Sequence, residues 1–319
     1  MKPVRRDYLK RALHVCCLAA TGLLPFAAPA NAQVPPDLAE QLRKIGRVIA
    51  PPPTAKIYAP LHPKQPYAGV DARRDIKYGP DARHLLDIVT TGPTAGAPKP
   101  VLIFVHGGGF VRGDRITIPP FYSNVPSWAA KNGFVGVSMT YRLAPKHKWP
   151  SGRDDVASAI AWVQKNIAQY GGDPQRIFLM GHSAGAIHVA TYAAMLAEKG
   201  EAPIAGAILV SALYEFDDKK AGKADRAYLG DKAATFTAAT SLPSLAKRKF
   251  PLLLVYGELD PPNFVQQAQH AWQFLCDKGK CPTFVALKDH SHISETYAIG
   301  TKDTSLTSEI LSFVQSQKK

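Results

Sequence analysis

The feature that most restricts how this chain can fold is a succession of unbroken apolar segments, each of single-strand length. They are PVLIFVH (100–106), FVGVSMTY (134–141), RIFLMG (176–181), IAGAILVSA (204–212), FPLLLVYG (250–257) and PTFVALK (282–288). A strand that is apolar on both faces must be covered on both faces. Between most of these segments lie stretches with helical character, such as DDVASAIAWVQKNIAQY (154–170) and FVQQAQHAWQFLCDKG (264–279). Strands and helices in alternation predict an α/β fold: one mostly parallel sheet of about eight strands, helices on both faces and right-handed crossovers. Upstream, ARRDIKYG (72–79) and RHLLDIVTT (83–91) alternate apolar and polar residues around a Gly-Pro-Asp turn, the pattern of an antiparallel pair. A composition of 46% hydrophobic and 20% charged residues suits a globular protein with one large core.

The ends of the chain read differently. MKPVRRDYLKRALHV is basic, and CCLAATGLLPFAAPANA is a short, Pro-broken apolar stretch ending in Ala30-Asn31-Ala32, so residues 1–32 are expected to be a cleaved signal peptide. Arg5-Arg6-Asp7-Tyr8-Leu9-Lys10 matches the twin-arginine pattern, with Val4 where Ser or Thr is usual, which favours that route over Sec and predicts a periplasmic or secreted protein. Residues 33–69 are expected to supply a cap helix, spaced by Leu38, Leu42, Ile45 and Ile49, followed by a proline-rich connector. The main α/β domain is then expected over 70–319, with the long insertion 214–249 as its lid.

The net charge of +14 falls by four to +10 once the signal segment is removed. Its basic residues are scattered, with AKRK (246–249) and DDKKAGK (217–223) as small clusters, so neither nucleic-acid binding nor stable membrane insertion is expected. Cys16 and Cys17 leave with the signal. Cys276 and Cys281 flank DKGK and are placed to close a disulfide in an oxidising compartment.

Chemistry enters at GHSAGA (181–186), between a buried strand and a small-residue helix. Gly-x-Ser-x-Gly at such a junction is the pattern of a strained turn that holds a nucleophilic Ser183 above the sheet edge. Directly after another buried strand, His106 is followed by three glycines, whose unshielded N–H groups can face an oxyanion. Gly108 and Gly109 are the expected donors, with the N–H of Ala184 at the start of the next helix as the third. No Cys, His or carboxylate set has metal-ligand spacing and no phosphate-binding loop occurs, so no metal and no cofactor are predicted.

Taken in order, HGGGF (106–110), YRLAP (141–145), GHSAGA (181–186) and GELD (257–260) resemble the hormone-sensitive-lipase-like branch of the α/β-hydrolase esterases, over roughly residues 70–315. That branch more often carries G-D-S-A-G; His182 here and DHSHIS (289–294) look more like bacterial carboxylesterases related to arylformamidases and feruloyl esterases. The resemblance implies a serine hydrolase acting on a small-molecule ester through an acyl-enzyme, with the chain order serine, acid, histidine. It places the acid at Asp260 rather than Glu258, and the base at His292, whose His-Ile-Ser context fits the family better than that of His290. An arylformamidase-type amidase is the alternative, and a non-catalytic binding protein of the same fold a further one.

The remaining polar residues of these motifs read as structural. Arg142 is expected to pair with Asp154 or Asp155, Asp114 to anchor the oxyanion loop, His106 to order that loop, and His188 to be a satisfied helix histidine. His290 is expected to bond nearby backbone.

Overall fold

A computed structural model of the chain describes residues 34–65, 67–92 and 96–317. The predicted signal segment with its twin-arginine pair lies outside the described residues.

The strands are β1 (Asp71–Lys77), β2 (Leu85–Thr90), β3 (Lys99–Val105), β4 (Val135–Met139), β5 (Gly172–His182), β6 (Gly206–Val210), β7 (Leu252–Gly257) and β8 (Thr283–Leu287). They form one eight-stranded sheet in the order β1-β2-β4-β3-β5-β6-β7-β8. β1 and β2, and β2 and β4, run antiparallel; every other pair is parallel. The α/β class, the opening antiparallel pair and the parallel body are as the apolar runs predict.

Covering the sheet are α1 (Pro36–Ile45), α2 (Pro51–Tyr58), α3 (Asn124–Lys131), α4 (Ser151–Asn166), α5 (Ala184–Lys199), α6 (Lys223–Leu229), α7 (Ala233–Ala239), α8 (Leu242–Leu245), α9 (Pro262–Asp277), α10 (Ser294–Tyr297) and α11 (Ser305–Ser316). Successive strand residues point to opposite faces. On β3, Val101, Ile103 and Val105 pack with α4 and α5, while Leu102 and Phe104 pack with α1, α2, α3 and α11. Each fully buried leucine on these faces, such as Leu42 of α1, contributes about 2 kcal/mol through lost apolar surface.

Two expectations for the N-terminal segment are corrected. α1 stops at Ile45, because Gly46 takes φ +83° and turns the chain away; Ile49 leaves the helical register and is 46% exposed. The proline-rich stretch is not a connector throughout: Pro51, Pro52 and Pro53 open α2. The first N–H groups of a helix have no intrahelical acceptor, so prolines there forfeit no hydrogen bond. Thr54, Ala55 and Tyr58 then bury one side of α2. The long segment 214–249 contains α6, α7 and α8, and buries Tyr228, Leu229, Phe236 and Ala239 against Phe110, Ala144, Ala184 and Ile187. No helix among the described residues is long and apolar enough to cross a membrane.

Candidate active site

Ser183 lies between the end of β5 and the first residue of α5 with φ +55°, a left-handed conformation unusual for a side chain larger than glycine. Its two flanking glycines are required by contact. A Cβ on Gly181 would lie 2.5 Å from the Gly185 carbonyl oxygen, and one on Gly185 would lie 2.2 Å from that of Val105. The turn can be this tight only because neither residue carries a side chain. It leaves the serine hydroxyl above the carboxyl ends of the strands, where open α/β sheets place their ligands.

The other predicted groups converge there. Ser183 Oγ donates to His292 Nε2 at 2.8 Å, and His292 Nδ1 donates to Asp260 Oδ1 at 2.7 Å. Asp260 sits in the turn after β7, and its Oδ2 also accepts the Gly257 N–H at 2.9 Å. Asp260 and His292 are fully buried. The rival acid, Glu258, points elsewhere and accepts the N–H of Asp289. His290 does not reach Ser183. Its Nδ1 meets Ser294 Oγ at 2.9 Å and its Nε2 lies 3.4 Å from Asp303, so its partners are side chains rather than the backbone expected from sequence.

The glycine loop crosses close to the elbow. Gly108 has φ +133°, and a Cβ there would lie 1.9 Å from the Arg112 carbonyl oxygen. Gly109 has φ +60°. Neither N–H donates to a protein group among the described residues. Ala184 opens α5, so its N–H is one of those a helix leaves without an internal acceptor. Phe110 stacks on Tyr228 of α6 with centroids 4.6 Å apart, bracing the loop from the insertion side.

Of the supporting residues, Arg142 pairs with Asp155, not Asp154, through its backbone N–H and guanidinium. Asp114 caps the N–H of Arg115 and lies 3.6 Å from Arg83, whose guanidinium donates to the Gly113 carbonyl at 2.8 Å, while Arg115 reaches Asp75 at 2.7 Å and Asp87. His106 orders its own loop through Nδ1 and Gly107, and burial pushes its pKa down to about 4. His188 is fully buried, yet neither ring nitrogen has a hydrogen-bond partner, contrary to expectation; it packs between Tyr141, Phe110 and Tyr228 and burial lowers it to about 3. Cys276 and Cys281 are joined, with an S–S distance of 2.07 Å.

Three contributors were not found from sequence. His182, buried and pushed down to about 3 by burial and by neighbouring His292, donates from Nε2 to the His292 carbonyl at 2.6 Å. Ser211, at the end of β6, lies 2.5 Å from Asp260 Oδ2, and Glu295 on α10 lies 2.7 Å from Ser211. His182, His292 and Glu295 each bring a ligand-type atom within 4.8 Å of one another. The ring nitrogens of both histidines already have protein partners in this arrangement. Separations above a hundred residues between β5 and α10 hide such a cluster from spacing arguments.

A cavity of about 400 Å³ opens over Ser183, with Phe110, Ile187, Leu213, Phe264 and Ile293 among its apolar walls and Ile49 and Pro51 at its rim. A neighbouring cleft of about 640 Å³ shares Leu213, Asp225 and Asn263 with it.

A strained serine elbow, a histidine and carboxylate in line with it and a glycine loop alongside sit on a sheet of the α/β-hydrolase type. The chain belongs to the alpha/beta hydrolase fold family, whose model matches residues 102–281. It is 30% identical over 218 residues to esterase LipC and 31% identical over 240 residues to esterase LipQ, both of Mycobacterium tuberculosis. Those matches cover 62% and 68% of this chain, which spans about half the length of these relatives, 53% and 56% respectively. Among solved structures, a hyperthermophilic esterase from Pyrobaculum calidifontis shares the fold with a TM-score of 0.65 and 20% identity, over 89% of this chain and 98% of that one.

Proposed function

We propose that this protein hydrolyses carboxylic esters with short acyl or aryl groups through a covalent acyl-enzyme. The observation that carries this reading is the unbroken hydrogen-bond line from Asp260 through His292 to Ser183, ending on a serine held in a strained elbow. Ser183 Oγ attacks the ester carbonyl as His292 Nε2 takes its proton, and Asp260 holds the ring and stabilises the imidazolium. The N–H groups of Gly108, Gly109 and Ala184 receive the oxyanion, a contribution of about 3 kcal/mol per donor in comparable sites. His292 then protonates the departing alkoxide. Water, deprotonated by the same ring, releases the acid and restores the serine.

Residues 34–67 and 214–249 are read as the cover of the cavity, and their small size, without the long apolar stretches of an interfacial lipase lid, favours short acyl chains. An ester panel graded by acyl length, with N-formylkynurenine alongside, tests the reading. Soluble short-chain esters are expected to turn over fastest, and dominance of the formamide would replace the esterase assignment by an amidase. A fluorophosphonate probe is expected to label the wild type and not Ser183→Ala.

The same reading extends to location. Residues 1–32 direct export by the twin-arginine route, supported by the Arg-Arg pair and the apolar stretch behind it. Replacing Arg5 and Arg6 by Lys should leave active precursor in the cytoplasm; unchanged export would indicate Sec.

A further inference from the structure

Ser211 and Glu295 take no part in the steps above, yet they touch the group that orients the base. Ser211 follows β6 with φ +50°, an unusual conformation for a serine, and this turn sets its hydroxyl between two carboxyl groups. Its Oγ is 2.5 Å from Asp260 Oδ2 and 2.7 Å from Glu295 Oε2. A hydroxyl has one hydrogen to donate. Both contacts are hydrogen bonds only if one carboxyl group brings a proton of its own.

The surroundings decide which. Asp260 accepts N–H donors on both oxygens, from His292 Nδ1 and from Gly257. Glu295 is fully buried, and its Oε1 has no partner among the described residues. The nearest basic group, His182 Nε2, lies 3.8 Å from Glu295 Oε2, but its hydrogen is committed to the His292 carbonyl. His292 itself faces Ser183 and Asp260. The site is also closed against relaxation: a Cβ on Gly257 would lie 2.6 Å from the His290 carbonyl oxygen and 3.3 Å from Glu295 Oε1. An ionised Glu295 here would be an uncompensated buried charge beside a second carboxylate.

We propose that Glu295 is a neutral carboxylic acid whose O–H donates to Ser211 Oγ, and that Ser211 in turn donates to Asp260 Oδ2, so that both are positioning residues for the Asp260–His292 pair. Burial, and secondarily the charge of Asp260, raise the Glu295 carboxyl well above the usual carboxylate range, in keeping with this arrangement. The relay fixes the face of Asp260 that His292 does not hold, so the carboxylate keeps its Oδ1 lone pair on the ring N–H throughout the cycle. It also makes the acid sensitive to alkali: loss of the Glu295 proton sets two anions on one hydroxyl. The inference rests on the assignment of Ser183, His292 and Asp260 as the reacting set.

The test compares Glu295→Gln, Glu295→Leu and Ser211→Ala for kcat, KM and the pH profile of kcat/KM on p-nitrophenyl acetate, with infrared spectra of wild type and Glu295→Gln. Glu295→Leu and Ser211→Ala are expected to lower kcat about tenfold, to leave KM within about twofold and to shift the acidic limb of the profile, as loss of orientation at the base does. Glu295→Gln, whose amide N–H replaces the O–H donor, recovers most of that loss and restores the limb. The wild type shows a protonated-carboxyl C=O band that Glu295→Gln lacks. A Gln variant as impaired as Leu, a Ser211→Ala profile identical to wild type, or no such band overturns the proposal. The infrared measurement needs no turnover, so it stands apart from the esterase assignment, which fluorophosphonate labelling tests separately.

Discussion

His182 Nε2 donates to the main-chain carbonyl of His292 at 2.6 Å, so the residue immediately before Ser183 fixes the backbone from which the His292 ring projects. Ser183 and His292 are thereby tied by a second route, independent of their direct hydrogen bond. His182→Ala is expected to lower kcat about tenfold while KM changes less than about twofold, because the ring of His292 loses its register rather than its chemistry. Steady-state kinetics on a soluble ester decide this, and an unchanged kcat would reduce the contact to packing.

The two neighbouring histidines are separable by substitution. His292→Ala should lower kcat by several orders of magnitude, as loss of a triad member does. His290→Ala, which removes contacts to Ser294 and Asp303 but nothing on Ser183, should cost about tenfold or less by disturbing the loop. Collapse in His290→Ala alone would reverse the assignment of the base.

Acid sensitivity follows from the buried rings. Burial lowers His106 to about 4 and His182 and His188 to about 3, from an ordinary value of 6.5. Below about pH 6.5 the unfolded chain binds protons that the folded chain refuses, so stability falls as pH drops toward 4, by up to about 1.4 kcal/mol per pH unit for each ring. His188, with no partner on either nitrogen, is the ring to remove: His188→Phe should make the slope shallower by one such increment. Urea midpoints across that range measure it, and an unaltered slope would show that His188 takes up a proton in the folded state.

The Cys276–Cys281 bridge closes a short loop, five positions apart, between the end of α9 and the start of β8. The entropy of closing so small a loop gives a stabilisation of about 2 kcal/mol. Replacing both residues by serine is expected to cost that much in denaturant unfolding and to leave kcat/KM within about twofold, since neither lines the cavity. A larger loss of activity than of stability would show that the bridge positions the loop carrying His292.

The body of the sheet was legible because continuous apolar runs have one physical solution, and Ser183 because its flanking glycines are forced by backbone contacts of 2.5 Å and less. Asp260 and His292 came from motif position, which carries loop context as well as residue type. What escaped was set by contacts between distant segments. Pro51 to Pro53 look like a linker until their place in the first turn of α2 is known. His188 reads as a polar helix residue, and only the aromatic rings around it show that it is enclosed without partners. Ser211 and Glu295 are an unremarkable serine and glutamate, far apart in sequence; the pairing of β6 with β7 brings the first to Asp260, and that of β7 with β8, which leads into α10, brings the second.

The loop bearing His292 follows β8, one of the two edge strands of the sheet, and His292 lies 109 residues from the serine it meets. Much of the elbow is made from contacts that form earlier along the chain, among β3, β5 and α5. On a growing polypeptide Ser183 can be bent into its turn while His292 has yet to be synthesised. Long-range closure is slow relative to local structure. The Ser183–His292 contact therefore cannot form before the segment after β8 has been synthesised and laid against the sheet.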